Sequence, residues 1–245
     1  MRPIGFSTGA LAKGDFRKGI ALQRQHPELR AIELSALRDH ELPGLASSAA
    51  ELDVQQFDYV SVHAPSKLSA LPEDKVFAYL ERLPAEWPII AHPLLVQSPI
   101  LWRSLGPRLC LENMDNRKGS GRTVAEMQEL FDCFPEATFC LDLGHARQID
   151  PTMATALRLA KDFSPRLRQL HVSEVGRDGE HLPLSALAIY AFQLVAPLIP
   201  DNCAVIIESV IGADKIEQET RKALGLFAGT RRMERSFEAA LELTA

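Results

Sequence analysis

Six times along this chain an apolar residue is followed directly by an ionisable one at the end of a short β-rich run. The pairs are Val62-His63, Ala91-His92, Leu111-Glu112, Leu141-Asp142, Leu170-His171 and Ile207-Glu208. Glu112, Asp142 and Glu208 are carboxylates. Gathered in a partly desolvated pocket, they would raise one another's pKa or demand a cation. With the imidazole of His171 added, such a donor set suits Mn, Mg, Co or Zn, whereas a structural zinc site favours thiolates. The residue types therefore predict a divalent-metal site at Glu112, Asp142, His171 and Glu208. Five of the seven histidines, His63, His92, His145, His171 and His181, lie at or just beyond such run ends, while His26 and His40 lie elsewhere. For His63, His92 and His181, ligation and a hydrogen-bonded structural role stay equally open.

For these side chains to meet, the runs must be strands of one sheet that open on one face. Candidate strands are Ile4 to Thr8, Ala31 to Ser35, Tyr59 to His63, Pro88 to His92, Leu109 to Asn113, Thr138 to Asp142, Arg168 to Val172 and Ala204 to Glu208, starting 21 to 36 residues apart. Helical-looking stretches separate them. Eight βα units at this spacing predict a single (β/α)8 barrel over residues 1–245, whose active face is the carboxyl end of the strands.

Side chains alternate along a strand, so the residue two positions before each ionisable one shares its direction. That layer would be Ser61, Ile90, Cys110, Cys140, Gln169 and Ile206, compact or apolar apart from Gln169, which would need a partner. Leu111, Leu141, Leu170 and Ile207 would then face the helices. Thr123-Val124-Ala125-Glu126 has capping-box spacing, and Asp150-Pro151 reads as an N-cap followed by proline at the first helical position. Met127 to Phe134 and Leu184 to Leu198 carry apolar stripes that would pack on the barrel, and Ser236 to Leu243 reads as a closing helix.

Composition narrows the function. The chain is 46% apolar and 24% charged with a net charge of −5, so it has a large core and no basic field to draw it onto nucleic acid. No apolar run approaches the roughly 20 residues of a membrane span, and no secretory signal is expected at the N-terminus, which points to a cytoplasmic protein. Cys110, Cys133, Cys140 and Cys203 form no Cys-x-x-Cys pair and read as reduced packing residues.

Leu141-Asp142-Leu143-Gly144-His145, supported by Leu111-Glu112-Asn113, His171-Val172-Ser173 and Ile207-Glu208-Ser209, resembles the xylose-isomerase-like superfamily of (β/α)8 barrels. That superfamily holds sugar isomerases and epimerases together with apurinic-site endonucleases of the endonuclease IV type. In epimerase-type members one divalent ion is held by a Glu, an Asp, a His and a Glu, matched here by Glu112, Asp142, His171 and Glu208. The resemblance further implies substrate binding by His145 and by Arg177, six residues beyond the metal His. Endonuclease-type members hold three zinc ions, and His63, His92, His145 and His181 correspond to their additional ligands. This chain departs at the last pair, where Gly179 stands in place of an aspartate and Asp178 is displaced by one position.

Two mechanisms follow as expectations. An isomerase or epimerase would chelate a sugar or sugar phosphate, with Glu112 and Glu208 as base and acid on opposite faces and a metal-stabilised enediolate between them. A phosphoesterase would use two or three ions to activate water. A non-catalytic metal-binding barrel is the third reading. Lys67 or Arg117 could receive a phosphate, and the polar segment from Asn113 to Arg122 reads equally as a lid or a solvated connector.

Overall fold

A computed structural model describes residues 2–228, so the expected closing helix from Ser236 to Leu243 lies outside the described residues. Eight parallel strands close into a barrel: β1 (Ile4–Ser7), β2 (Ala31–Ser35), β3 (Tyr59–His63), β4 (Ile89–Ala91), β5 (Leu109–Glu112), β6 (Thr138–Asp142), β7 (Leu167–Val172) and β10 (Ala204–Ile207). Each pairs with its sequence neighbours, and β10 pairs with β1 to complete the ring. Two short strands, β8 (Glu174–Val175) and β9 (His181–Leu182), form an antiparallel hairpin on the loop that leaves β7.

The helices around the barrel are α1 (Thr8–Ala12), α2 (Phe16–Arg24), α3 (Leu42–Ser48), α4 (Glu73–Glu81), α5 (Pro99–Arg103), α6 (Val124–Cys133), α7 (Leu143–Ile149), α8 (Ala154–Asp162), α9 (Ala186–Gln193) and α10 (Ile216–Gly225). No helix among the described residues is long and apolar enough to cross a membrane. Leu111, Leu141, Leu170 and Ile207 lie in the large outer core with Phe77, Trp102, Phe131 and Phe192 from the helices. Inside the barrel, Ile90, Cys110 and Cys140 form one small apolar cluster, and Ala31, Ala204 and Ile206 form another against Tyr59. The alternation read from the sequence is therefore the alternation of the strands. All four cysteines are unpaired thiols.

α6 starts on the expected capping box, with Thr123 Oγ1 accepting from the Glu126 amide at 3.2 Å and the Glu126 carboxylate accepting from the Thr123 amide at 3.2 Å. The expected helix start at Asp150-Pro151 needs correction. Asp150 stands at the C-terminus of α7, Pro151 lies in the following turn, and α8 begins only at Ala154 after Met153 takes a left-handed φ of 65°. The Asp150 carboxylate still serves that helix, accepting from the Thr152 and Thr155 amides at 3.0 and 2.9 Å. Its chemistry is that of a cap, but a longer turn intervenes than N-cap spacing implies.

Candidate metal centre

Strand register sets the site. Asp142 is the Cα partner of His171, and His171 is in turn the partner of Ile206. Glu112 pairs with Cys140 on β6, and Glu208 lies two residues beyond Ile206, so the inward side chains at the carboxyl ends of β5, β6, β7 and β10 meet at the mouth through the stagger of neighbouring strands. There Glu112, Asp142, His171 and Glu208 each offer a ligand atom, all within 4.8 Å of one another, and His63, His92 and Glu112 form a second such group. Glu112 belongs to both. Its Oε2 lies 3.2 Å from His63 Nε2 and 3.3 Å from His92 Nε2, while its Oε1 lies 3.3 Å from His145 Nδ1 and 3.4 Å from His171 Nδ1.

The Asp-Leu-Gly-His segment explains how the centre is built locally. Asp142 ends β6 and its Oδ1 accepts from the His145 amide at 2.7 Å, so one carboxylate starts α7 and leaves its other oxygen for the lumen. Gly144 is required because a Cβ there would stand 2.6 Å from the Ser173 carbonyl oxygen. Asn113 fixes β5 against β6, with Oδ1 accepting from the Asp142 amide at 2.7 Å and Nδ2 donating to the Asp142 carbonyl at 2.9 Å.

The donor set fits a divalent cation. Asp142 Oδ2 and Glu208 Oε2 are buried yet accept no well-aligned hydrogen bond, although His145 Nδ1 stands 3.3 Å from the former and His171 Nδ1 3.4 Å from the latter. His63 Nδ1 faces the Ala64 carbonyl at 2.7 Å and donates to it, so its Nε2 opposite Glu112 needs either a second proton or a shared cation. Without a cation the protons take its place. Burial would depress His63, but the Glu112 contact and the charges of Glu33 and Glu208 carry it to about 9. Burial likewise opposes the charge on His145, and Asp142 and Glu112 overcome it, carrying His145 to about 10. His92 goes the other way, lowered chiefly by burial, and is suited to bind metal as a neutral imidazole. Burial raises Glu208, whereas for Glu112 the surrounding histidines outweigh burial and hold the carboxyl well below its usual range.

The remaining residues singled out from the sequence fall in different places. His145 donates from Nδ1 to the Asn113 carbonyl at 3.0 Å and turns Nε2 toward Asp115, 4.0 Å away. His181 Nδ1 lies 2.9 Å from Ser173 Oγ and 3.3 Å from Glu208 Oε2. Arg177 is exposed at the turn of the β8–β9 hairpin, outside the residues that line the mouth. Arg117 does line it, clasped by the buried carboxylate of Asp115 and donating to the Asp178 carbonyl at 2.7 Å. The guanidinium fills the space above Gly179, where a Cβ would come within 1.8 Å of it. The segment after β5 thus reaches across to the hairpin and contributes Arg117 and Lys118 to the mouth. Lys67 lines an adjoining cavity with Lys13 and Arg38.

A buried carboxylate in contact with the ligand group escapes the sequence reading. Glu33, in the middle of β2, is fully buried and its Oε2 lies 2.9 Å from His171 Nε2. A carboxylate inside an otherwise apolar strand, with the inward parity of Ser35, was the available signal. It also resolves the expected misfit at Gln169, whose Nε2 donates to Glu33 Oε2 at 2.7 Å while Tyr59 donates to its Oε1 at 2.9 Å.

No described protein family and no curated protein matches this chain by sequence. Solved structures do. Endonuclease IV from Thermus thermophilus superposes with a TM-score of 0.59 at 17% identity, over 94% of this chain and 99% of that one. The IolI protein, solved with a bound zinc atom, superposes with a TM-score of 0.65 at 13% identity, again over 94% and 99%. A protein described as a sugar phosphate isomerase/epimerase, from Anabaena variabilis, gives a TM-score of 0.56 at 14% identity over 90% and 88%. The chain shares the closed (β/α)8 barrel fold with these proteins.

Proposed function

We propose that the protein is a divalent-metal-dependent enzyme that moves a proton on a small sugar or sugar phosphate, an isomerase or epimerase, with Glu112, Asp142, His171 and Glu208 holding one ion. The observation that carries this reading is the convergence of those four donors within 4.8 Å at the base of an open mouth. The mouth encloses about 220 Å³, below the roughly 300 to 1,000 Å³ of drug-sized sites, which favours a small ligand. Likeness to a sugar phosphate isomerase/epimerase in fold is compatible with it.

When bound, the ion would polarise a substrate carbonyl and ease removal of a proton from the adjacent carbon. Glu208, whose side chain keeps 12% of its surface exposed at the mouth, is the carboxylate placed to exchange that proton with substrate. Glu112 takes the complementary part from the opposite side of the lumen. His145 turns Nε2 toward the mouth and, with Lys118, would orient substrate oxygens. Arg177 would reach substrate only if the hairpin folded inward, whereas Arg117 already lines the space.

A second reading rests on a specific observation, the His63, His92 and Glu112 group. A further ion held by His63, His92 and Glu112 would supply the activated water that hydrolysis of a small phosphoester needs. The two are separated by counting metal per chain in protein purified without chelator, then incubating it with ketoses, aldoses and their phosphates in D₂O. One ion with deuterium uptake beside a carbonyl supports the isomerase. Two ions with phosphate release and no deuterium uptake replace it by the hydrolase.

A further inference from the structure

Beneath the proposed ligands the barrel lumen carries a second polar layer that the metal chemistry just described does not use. Glu33 on β2, Ser61 on β3 and Gln169 on β7 sit one inward position below the ends of their strands, near the apolar Ile90, Cys110, Cys140 and Ile206, and Tyr59 of β3 lies one inward position deeper, beside Ala31. Glu33 reaches across the lumen rather than along the wall, since β2 and β7 are separated in the ring by β1 and β10. A carboxylate buried among apolar side chains is costly unless something pairs with it. The donors that meet it are Gln169 Nε2 at 2.7 Å and His171 Nε2 at 2.9 Å, both on Oε2, while Oε1 has no hydrogen-bond partner.

The two nitrogens of His171 thus face opposite ways. Nδ1 looks up at Glu112 Oε1 and Glu208 Oε2, each 3.4 Å away, and at Asp142 Oδ2, 4.0 Å away. Nε2 looks down at Glu33. Gln169 Nε2 is also 2.6 Å from His171 Nε2, but a carboxylate oxygen within reach of both nitrogens is met best when both donate to it. That requires the His171 proton on Nε2, which leaves the Nδ1 lone pair free toward the ligand group.

We infer that Glu33 is a positioning residue for the metal centre: it fixes the tautomer and ring orientation of His171 so that Nδ1 is presented to a divalent cation. The inference rests on the reading that Glu112, Asp142, His171 and Glu208 bind that cation. Tyr59 and Gln169 hold Glu33 in turn, forming a chain of donors that ends on its Oε2. Carboxylates that accept from the distal nitrogen of a ligating histidine raise its basicity and are worth about 10- to 100-fold in metal affinity.

The test is cobalt binding to metal-free protein, followed by visible absorption, for the wild type and Glu33→Gln, with Tyr59→Phe as the more distant link. Glu33→Gln is expected to weaken cobalt binding about 10- to 100-fold and change the shape of the absorption band. Tyr59→Phe should weaken binding less. Unchanged affinity and spectrum in Glu33→Gln would overturn the inference while leaving the metal reading intact. Wild-type protein that takes up no cobalt would overturn the metal reading and the inference with it. Nitrogen NMR of the zinc-loaded wild type gives a check that needs no variant: His171 with a proton on Nδ1 would sink the proposal, and a proton on Nε2 alone supports it.

Discussion

His92 Nε2 stands 3.3 Å from Glu112 Oε2, the oxygen that also faces His63, while the other oxygen of the same carboxylate faces His145 and His171. One side chain therefore joins two ligand groups. Glu112→Gln is expected to weaken metal binding at both, whereas His92→Ala or His63→Ala should remove only an ion held by the second group. Metal per chain, measured by elemental analysis after identical purification, checks this. Loss of all metal from His92→Ala would refute the division into two groups.

Glu208 combines a place in the proposed ligand group with access to the mouth, so its loss should be felt mainly in turnover. Glu208→Gln is expected to lower the rate at least about 100-fold, as removal of a group that exchanges protons with substrate does, without lowering the melting temperature. Steady-state kinetics on the substrate identified by deuterium exchange would show it. Undiminished turnover would reject Glu208 as the proton-exchanging carboxylate.

The charged histidines set a pH dependence. In metal-free protein His63 and His145 are raised from an ordinary value of 6.5 to about 9 and about 10, despite burial, by the carboxylates around them. A group whose folded pKa is raised stabilises the fold fully below its unfolded value and loses that stabilisation as pH rises through the folded one. The metal-free protein should therefore melt at a lower temperature at pH 10 than at pH 7. A cation competes with those same protons, so metal affinity should rise over the same interval. Thermal melts with and without zinc across pH 6 to 10 would read both slopes, and a metal-free melting temperature that rises with pH would contradict the assignment.

Gly179 leaves the space that the Arg117 guanidinium occupies, and its φ of 80° is one that other residues rarely adopt. Gly179→Ala should displace Arg117 from the Asp178 carbonyl and raise the KM for an anionic substrate more than it lowers kcat. Its cost to stability should be only about 1 kcal/mol, because the hairpin lies at the periphery of the fold. Comparing kinetics and urea melts of this variant with Arg117→Ala tests the contact. Wild-type KM in both would show that the clasp plays no part in substrate binding.

Much of the barrel is legible because strand alternation is local. Leu141 and Asp142 must point to opposite faces wherever the strand lies, so a run of apolar residues that ends on a carboxylate already separates helix-facing from lumen-facing positions. The Asp142 and His145 pairing is legible for the same reason, as a cap closes within one turn. Asp150 shows the limit: its residue type announces a cap, but the chain turns through a left-handed Met153 before α8 begins at Ala154. Arg177 and Arg117 show another. Counting residues past His171 reaches the former, yet the hairpin carries it outward, and the cation at the mouth comes from a different loop 61 residues away from Asp178.

From its residues alone this chain determines eight β-rich runs, their inward faces, and a set of carboxylates and imidazoles at their ends. Which of those groups share a cation was decided only by closure of the ring, since the distances among Glu112, His171 and Glu208 depend on register and on the pairing of β10 with β1. The contact between Glu33 and His171, 138 positions apart, belongs wholly to that second level. Local chemistry names the donors, but only a closed lumen brings opposite walls within hydrogen-bond reach.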